Sequence, residues 1–239
     1  MPNWVYNSLT IEGSAEDISA IKKQLNTPFS VEHDSYDMES KEMKRKVFEY
    51  NNPVFAFWNI IRPLDMETYH KQPDRTKDVF DMSGDDWYNW NCRNWGTKWD
   101  VAIHSDNEYP ETELITDTED TLIYRFNTAW SPPVSAIEKL SQQYPNVEFD
   151  LQYEEETGWG GNHVFSEGEG TEVAYYENKC MDCDAYDTLD YCESGCGEIC
   201  SKCNYLGEAD LDNVAECQTH MQYLDDNHVP AYRLVNNDN

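Results

Sequence analysis

The order of patterned segments in this 239-residue chain predicts an α+β fold, a ferredoxin-like sandwich of βαββαβ order with an extended antiparallel sheet. Two observations carry that expectation. β-rich stretches recur at residues 4–11, 99–105, 121–128 and 147–153, and amphipathic helical stretches follow the first and the third. Aromatic residues make up 13% of the chain, enough to build a core where aliphatic residues are scarce.

Residues 4–11 (Trp-Val-Tyr-Asn-Ser-Leu-Thr-Ile) are β-branched and aromatic and end at Glu12-Gly13, as a strand does. Ser14 is placed to cap a helix, with Asp17 three residues on and Ile18, Ile21 and Leu25 as its apolar stripe. Residues 30–52 are polar, hold the chain's one basic cluster (residues 41–46), and read as an inserted loop or short exposed helix. The clump Phe55-Ala-Phe-Trp-Asn-Ile-Ile61 is a buried strand or a helical turn, ended by Pro63.

Residues 85–100 carry Trp87, Tyr88, Trp90, Trp95 and Trp99. Trp95 and Trp99 are expected to pack beneath the sheet, with Asn94 and Asp100 capping loops and Trp87 and Trp90 partly at the surface. Between the strands at 99–105 and 121–128, the acid-rich residues 106–120 read as a solvated hairpin loop. Ser131 is the expected N-cap of a second helix, with Pro132 as its first residue and Val134, Ile137 and Leu140 as its stripe. Short strands near 161–165 and 172–176 widen the sheet, and Gly158-Trp-Gly-Gly161 is a bulge or tight turn before them. The predicted domains are a ferredoxin-like unit over 1–177 with an insertion near 30–95, a Cys-rich segment over 178–206, and a helix and tail over 207–239, the helix at about 210–224.

Six of the eight cysteines lie within 24 residues: Cys180, Cys183, Cys192, Cys196, Cys200 and Cys203. Cys180-Met-Asp-Cys183 and Cys200-Ser-Lys-Cys203 are two Cys-x2-Cys knuckles, each offering two sulfurs from one tight turn. Four thiolates complete a tetrahedron around a structural Zn2+ and leave no open position for hydrolysis. Such a site contributes on the order of 10 kcal/mol to folding a segment without its own core. Cys192 and Cys196 are additional candidates, within this set or in a second site with His163, His220 or Cys217. A disulfide or redox pair, an iron–sulfur cluster and free thiols are the alternatives.

Formal charge is −30, from 47 acids against 17 bases. Residues 148–226 alone hold 21 acids against Lys179 and Lys202. Phosphate binding needs clustered cations, so direct nucleic-acid binding by this half is disfavoured. A folded acidic surface can instead mimic a phosphate array and engage a protein with a basic nucleic-acid-binding surface; plain solubility is the bland alternative. Absence of a long apolar run or signal-like N-terminus leads to the expectation of a cytoplasmic protein without membrane spans.

For catalysis, Asp85-Asp86, Glu154-Glu155-Glu156 and Glu167 with Glu169 are candidate holders of a divalent ion in a nuclease or hydrolase. Adjacent acids are common in so acidic a chain, and the six histidines are scattered, so no catalytic residue is assigned. Single-stranded nucleic-acid binding through sheet aromatics and the 41–46 cluster is a further alternative.

The opening Met1-Pro-Asn-Trp4 with Asn7, the block Asn94-Trp-Gly-Thr-Lys98-Trp99-Asp100, and the block Phe126-Asn-Thr128-Ala129-Trp130-Ser131-Pro132-Pro133 resemble the YubB-type ferredoxin-like family of plasmid and phage proteins. The blocks span most of residues 1–153. The resemblance implies a ferredoxin-like fold and a mobile-element origin, and no particular activity. That family's opening often has Cys where this chain has Val5, which removes a thiol or metal role there. The Cys cluster is more elaborate than the family's usual C-terminus and rests on its own residues. The reading that follows is an accessory protein of a phage or plasmid that works by binding another macromolecule, expected to be a host or phage protein.

Overall fold

Alternation along Trp4–Glu12 turns Val5, Asn7, Leu9 and Ile11 into the core and leaves Trp4, Tyr6, Ser8 and Thr10 on the opposite face. This strand, β1, is the axis of the fold. The computed structural model describes residues 3–71, 84, 86–102, 112–179, 189–191, 198–200 and 206–207, the last three stretches as backbone. The chain divides into two compact units, Met1–Glu156 with Gly161–Ala174, and Thr157–Gly160 with Tyr175–Asn239.

Helix α1 (Ala15–Leu25) starts where predicted: the Asp17 amide donates to Ser14 Oγ at 3.2 Å, and Ile18, Ile21 and Leu25 are buried. A serine cap of this kind stabilises a helix by about 1 kcal/mol. Residues 30–52 are a hairpin, contrary to the expected loop or helix. Strands β2 (Phe29–Asp37) and β3 (Glu42–Tyr50) pair antiparallel in their own two-stranded sheet. Lys41 takes the left-handed conformation in the turn (φ 57°). Cross-strand charge complementarity explains the pairing: Arg45 Nε donates to Asp34, and Lys44 and Lys46 both reach Asp37. Phe57–Asn59 is a 3-10 turn, the helical alternative for that clump. Helices α2 (Met66–Tyr69) and α3 (Trp87–Asn94) follow, α3 capped by Asp86 accepting from the Tyr88 and Asn89 amides.

The second sheet strand is β4 (Glu113–Asp117), within the expected acidic loop, and residues 99–102 are irregular. Residues 103–111, including His104, lie outside the described residues. The acids mislead because β4 is an edge strand, where exposed Glu113 and Asp117 alternate with half-buried Leu114 and Thr116. Strand β5 (Thr121–Ala129), helix α4 (Val134–Gln143) and strand β6 (Glu148–Glu155) complete the core. The cap of α4 is Pro133, two residues later than expected, because Ser131 is engaged elsewhere. Strands β7 (Gly160–Ser166) and β8 (Glu169–Tyr176) widen the sheet to the order β4-β5-β1-β6-β7-β8. Gly158 (φ 97°) lies in the connection before β7.

β1 pairs antiparallel with both β5 and β6, and β4 with β5, so the first four strands have the split arrangement of a ferredoxin-like sandwich. The core is largely aromatic. Phe55 stacks on Phe126 at 5.1 Å and meets Tyr124 and Phe57 edge-on, and Leu9, Ile21 and Leu151 are likewise fully buried. Full burial of each such side chain contributes about 1.5–3 kcal/mol. In the second unit, β9 (Leu189–Tyr191), β10 (Glu198–Cys200) and β11 (Leu206–Gly207) form a three-stranded sheet in the order β11-β10-β9.

Candidate functional site

The segment 94–100 bears Trp95 and Trp99 and the turn 127–133 bears Trp130, and the fold joins the two at the end of the sheet where β1 begins and β5 ends. Gly96, at φ 85°, lies so close to the second segment that a Cβ there would stand 3.1 Å from the Pro132 carbonyl oxygen and 3.2 Å from the Val134 nitrogen. Thr97 Oγ donates to the Ala129 carbonyl at 3.0 Å and Ser131 Oγ to the Gly96 carbonyl at 2.6 Å. The Ala136 amide, in the first turn of α4, donates to the Trp95 carbonyl. Trp95 is buried and its indole N–H donates to the Ile61 carbonyl at 3.0 Å.

A buried polar chain supports the turn from below. Asn7 Nδ2 donates to Thr128 Oγ at 2.9 Å and to the Val5 carbonyl at 2.8 Å, and Thr128 Oγ donates to the Ser131 carbonyl at 2.8 Å. Trp130, with its amide donating to the Asn3 carbonyl, is thereby held at φ 69°. A non-glycine residue there costs of order 1–3 kcal/mol. The distortion turns an indole outward: Trp130 is 46% exposed.

Below the first segment, Asp100 is enclosed and takes four backbone bonds. Oδ1 accepts from the Phe57, Val101 and Ala102 amides and Oδ2 from Trp58. Burial pushes its carboxyl up from the usual range while the four N–H donors pull the other way. This cap bends the chain after Trp99 and prevents the alternating residues 99–102 from joining the sheet.

Trp99 was expected beneath the sheet; it is instead 38% exposed, with Trp4 6.1 Å away. Lys98 Nζ lies 4.5 Å from the Trp99 ring centroid, 4.6 Å from Trp130 and 5.9 Å from Tyr88. Asn91 Nδ2 fixes the Lys98 carbonyl at 2.8 Å. Desolvation by this aromatic frame draws the ammonium pKa down. Trp90 packs inward on Trp95 and Tyr69.

The outward face of the sheet continues from this cluster through Tyr6, which is 51% exposed. Cross-strand neighbours of Tyr6 are Asn127 and Glu154, those of Ser8 are Arg125 and Gln152, those of Thr10 are Ile123 and Asp150, and Glu12 stands opposite Glu148. Glu154 is thus the acid beside the aromatic end, Arg125 stands further along at Ser8, and Asp150, Glu12 and Glu148 lie toward the opposite end of β1.

The other predicted candidates do not converge. Asp86 caps α3, and Asp85 lies outside the described residues. Strand alternation sends Glu154 outward and Glu155 into the core, and Glu167 sits in the β7–β8 turn at φ 54°. Among the described residues no three of His, Cys, Asp or Glu gather into a metal-holding group. In the basic cluster, Lys44, Arg45 and Lys46 are engaged by acids of their own hairpin. Cys200 ends β10, while Cys180, Cys183, Cys192, Cys196 and Cys203 lie outside the described residues, as do Cys217, His220 and the expected helix at 210–224. Among the described residues no helix is long and apolar enough to cross a membrane.

A family model described as a ferredoxin-like domain in Api92-like protein matches residues 98–193, from Lys98 through β9. The match covers β4, β5, α4 and β6, which together with β1 and α1 make up the ferredoxin-like order. Among solved structures, the chain is similar to the crystal structure of a protein api92 from Yersinia pseudotuberculosis, with 10% identity and a TM-score of 0.41 over 75% of this chain and 99% of that one. No curated protein matches the chain.

Proposed function

We propose that this chain is a non-catalytic binding protein that presents its tryptophan cluster, with Glu154 on the adjoining sheet face, to a basic segment of a partner protein. The observation that carries this reading is Trp130. A strained backbone and a buried polar network hold it, yet its indole is left in solvent. Exposed tryptophans in a fixed frame are the side chains that dominate protein interfaces. The net charge of −30 selects the sign of the partner, since an acidic surface steers cations and repels nucleic acid.

The run of acids over residues 148–226 supports a sharper form, in which the chain mimics nucleic acid and occupies the basic groove of a host defence or DNA-handling protein in the cytoplasm. The resemblance to YubB-type proteins supports a phage or plasmid setting. A structural Zn2+ on Cys180, Cys183, Cys200 and Cys203 belongs to the same proposal. Its support is the knuckle spacing together with the pairing of Cys200 and Leu189 across β10 and β9.

Trp130→Gly separates binding from folding, because glycine adopts φ 69° without strain and only the indole is lost. The variant is expected to keep the wild-type melting temperature within a few degrees and to bind a labelled arginine-rich peptide about tenfold more weakly by fluorescence anisotropy. Wild-type affinity falls as salt is raised. No binding at low salt, or equal affinity of both proteins, rejects this function.

A further inference from the structure

With 47 acids against 17 bases, a cation on this molecule has many carboxylates to choose from. Lys22 pairs with Asp117, Lys44 and Lys46 with Asp37, and Arg45 with Asp34. Lys98 makes a different choice: among the described residues no carboxylate lies within ion-pair distance of its Nζ, and the ammonium rests against the rings of Trp99 and Trp130. The placement is built in from both sides. Asn91 holds the Lys98 carbonyl, Thr97 is tied to Ala129, and the Ser131–Gly96 bond fixes the two indoles relative to each other.

The geometry points to Lys98 as an internal occupant of the indole cluster, displaced on binding by an arginine side chain of the basic partner. This rests on the binding reading above and names its chemistry. An ammonium over an exposed indole gains little, because water solvates that compact charge strongly. A guanidinium is planar, is more weakly hydrated, and stacks on an indole while keeping its N–H donors free for a carboxylate or carbonyl acceptor. Glu154, opposite Tyr6, is the outward acid next to the aromatic end of the sheet. Exchange of Lys98 for arginine is therefore favourable, whereas exchange for another lysine gains nothing. Lys98 thus acts as a specificity residue that rejects lysine-rich segments and admits arginine-rich ones. The lowered pKa of Lys98 agrees with an ammonium held partly out of water.

The test uses the full chain with two short peptides of equal charge, one arginine-rich and one lysine-rich. In the free protein the Lys98 ε-methylene protons are expected to carry an upfield ring-current shift in NMR spectra, given Nζ at 4.5 and 4.6 Å from the Trp99 and Trp130 ring centroids. Saturation with the arginine peptide is expected to remove that shift, and saturation with the lysine peptide to leave it. Lys98→Met keeps the stem and removes the charge, and is expected to tighten arginine-peptide binding about fivefold. Lys139→Met removes the same charge from the exposed face of α4 and is expected to change affinity less than about twofold.

Displacement is overturned if Lys98 keeps its ring shift in the saturated arginine complex, or if Lys98→Met binds no more tightly than Lys139→Met. If those results come with binding that Trp130→Gly still weakens, the interface stands and only the exchange fails. If neither peptide binds the wild type or Lys98→Met, both are lost. Displacement of Lys98 by an acidic control peptide, with no effect of the arginine peptide, overturns the exchange in favour of an anion site.

Discussion

Ser131 Oγ donates to the Gly96 carbonyl at 2.6 Å, and this bond joins the loop that carries Trp99 to the turn that carries Trp130. Both indoles and the lysine between them depend on it. Ser131→Ala leaves that carbonyl without its partner and is expected to cost about 1–2 kcal/mol in urea denaturation. Gly96→Ala is expected to cost more, about 2–4 kcal/mol, because it combines a left-handed φ with a Cβ pressed on the backbone at Pro132 and Val134. Tryptophan emission of both variants should shift to longer wavelength. Wild-type stability in Gly96→Ala would mean that the two segments are not docked as described.

Asp100 holds the other side of the same loop. An asparagine of equal size can present one oxygen to the Phe57, Val101 and Ala102 amides, but its NH2 group then opposes the Trp58 N–H. Asp100→Asn is expected to lose about 2–3 kcal/mol, since charge-assisted bonds are the stronger kind and one buried donor is left unpaired. Asp100→Ala should lose more, with all four amides orphaned. Equal stability of the asparagine variant and wild type would show that the carboxylate does not organise these amides.

The ferredoxin-like order was legible because its signals are local. Ser14 and its apolar stripe mark α1, and Leu122, Tyr124 and Phe126 alternate along β5 as a half-buried strand must. The errors arose where a distant partner overrides periodicity. Trp99, Asp100, Val101 and Ala102 alternate like a strand, but Asp100 is recruited by amides more than forty positions away in sequence. The real edge strand, β4, was hidden by the acids that protect it. Ser131 looked like a helix cap from its neighbours Pro132 and Pro133, and its hydroxyl goes to Gly96 instead. The tryptophans of the site stand out in the sequence, but Asn91, which fixes the Lys98 carbonyl, does not, and neither does their assembly. A positive φ at Trp130 leaves no mark in a sequence, since it is imposed by the Asn7–Thr128–Ser131 network and not by residue type.

His163 gives the fold a pH dependence of known sign. It projects inward from β7 between Tyr153 and Phe165, its Nδ1 has no hydrogen-bond partner among the described residues, and Glu172 is 3.8 Å from Nε2. Burial draws its pKa below 6.5, against the pull of Glu172. The unfolded chain therefore binds this proton more readily than the folded one. The group's favourable contribution is present above pH 6.5 and is lost as pH falls through the folded value. His163→Gln does not titrate, so the urea midpoint of wild type should fall relative to that variant as pH is lowered from neutral. Loss of net negative charge on acidification affects both proteins alike and cancels in the comparison. A constant difference between the two would show that His163 titrates equally in both states.

The register of β9 and β10 makes the proposed zinc set testable thiol by thiol. In the β9–β10 ladder, Cys200 pairs with Leu189 at one end and Glu198 pairs with Tyr191 at the other. The chain from Cys183 enters at Leu189, and Cys203 follows Cys200 by three residues, so the two knuckles attach to the same end of this sheet. Cys192 follows Tyr191 and Cys196 precedes Glu198 by two residues, which attaches that connection to the opposite end. A single Zn2+ on Cys180, Cys183, Cys200 and Cys203 then predicts about one zinc per purified chain. Cys183→Ser and Cys200→Ser should each remove it, while Cys192→Ser and Cys196→Ser should retain it. Chelation should expose residues 178–206 to limited proteolysis and leave the sheet of the first unit intact, because metal binding and local folding are one equilibrium in such segments. Zinc retained in Cys200→Ser, or thiols of the unreduced protein found paired as disulfides, would rule out this ligand set.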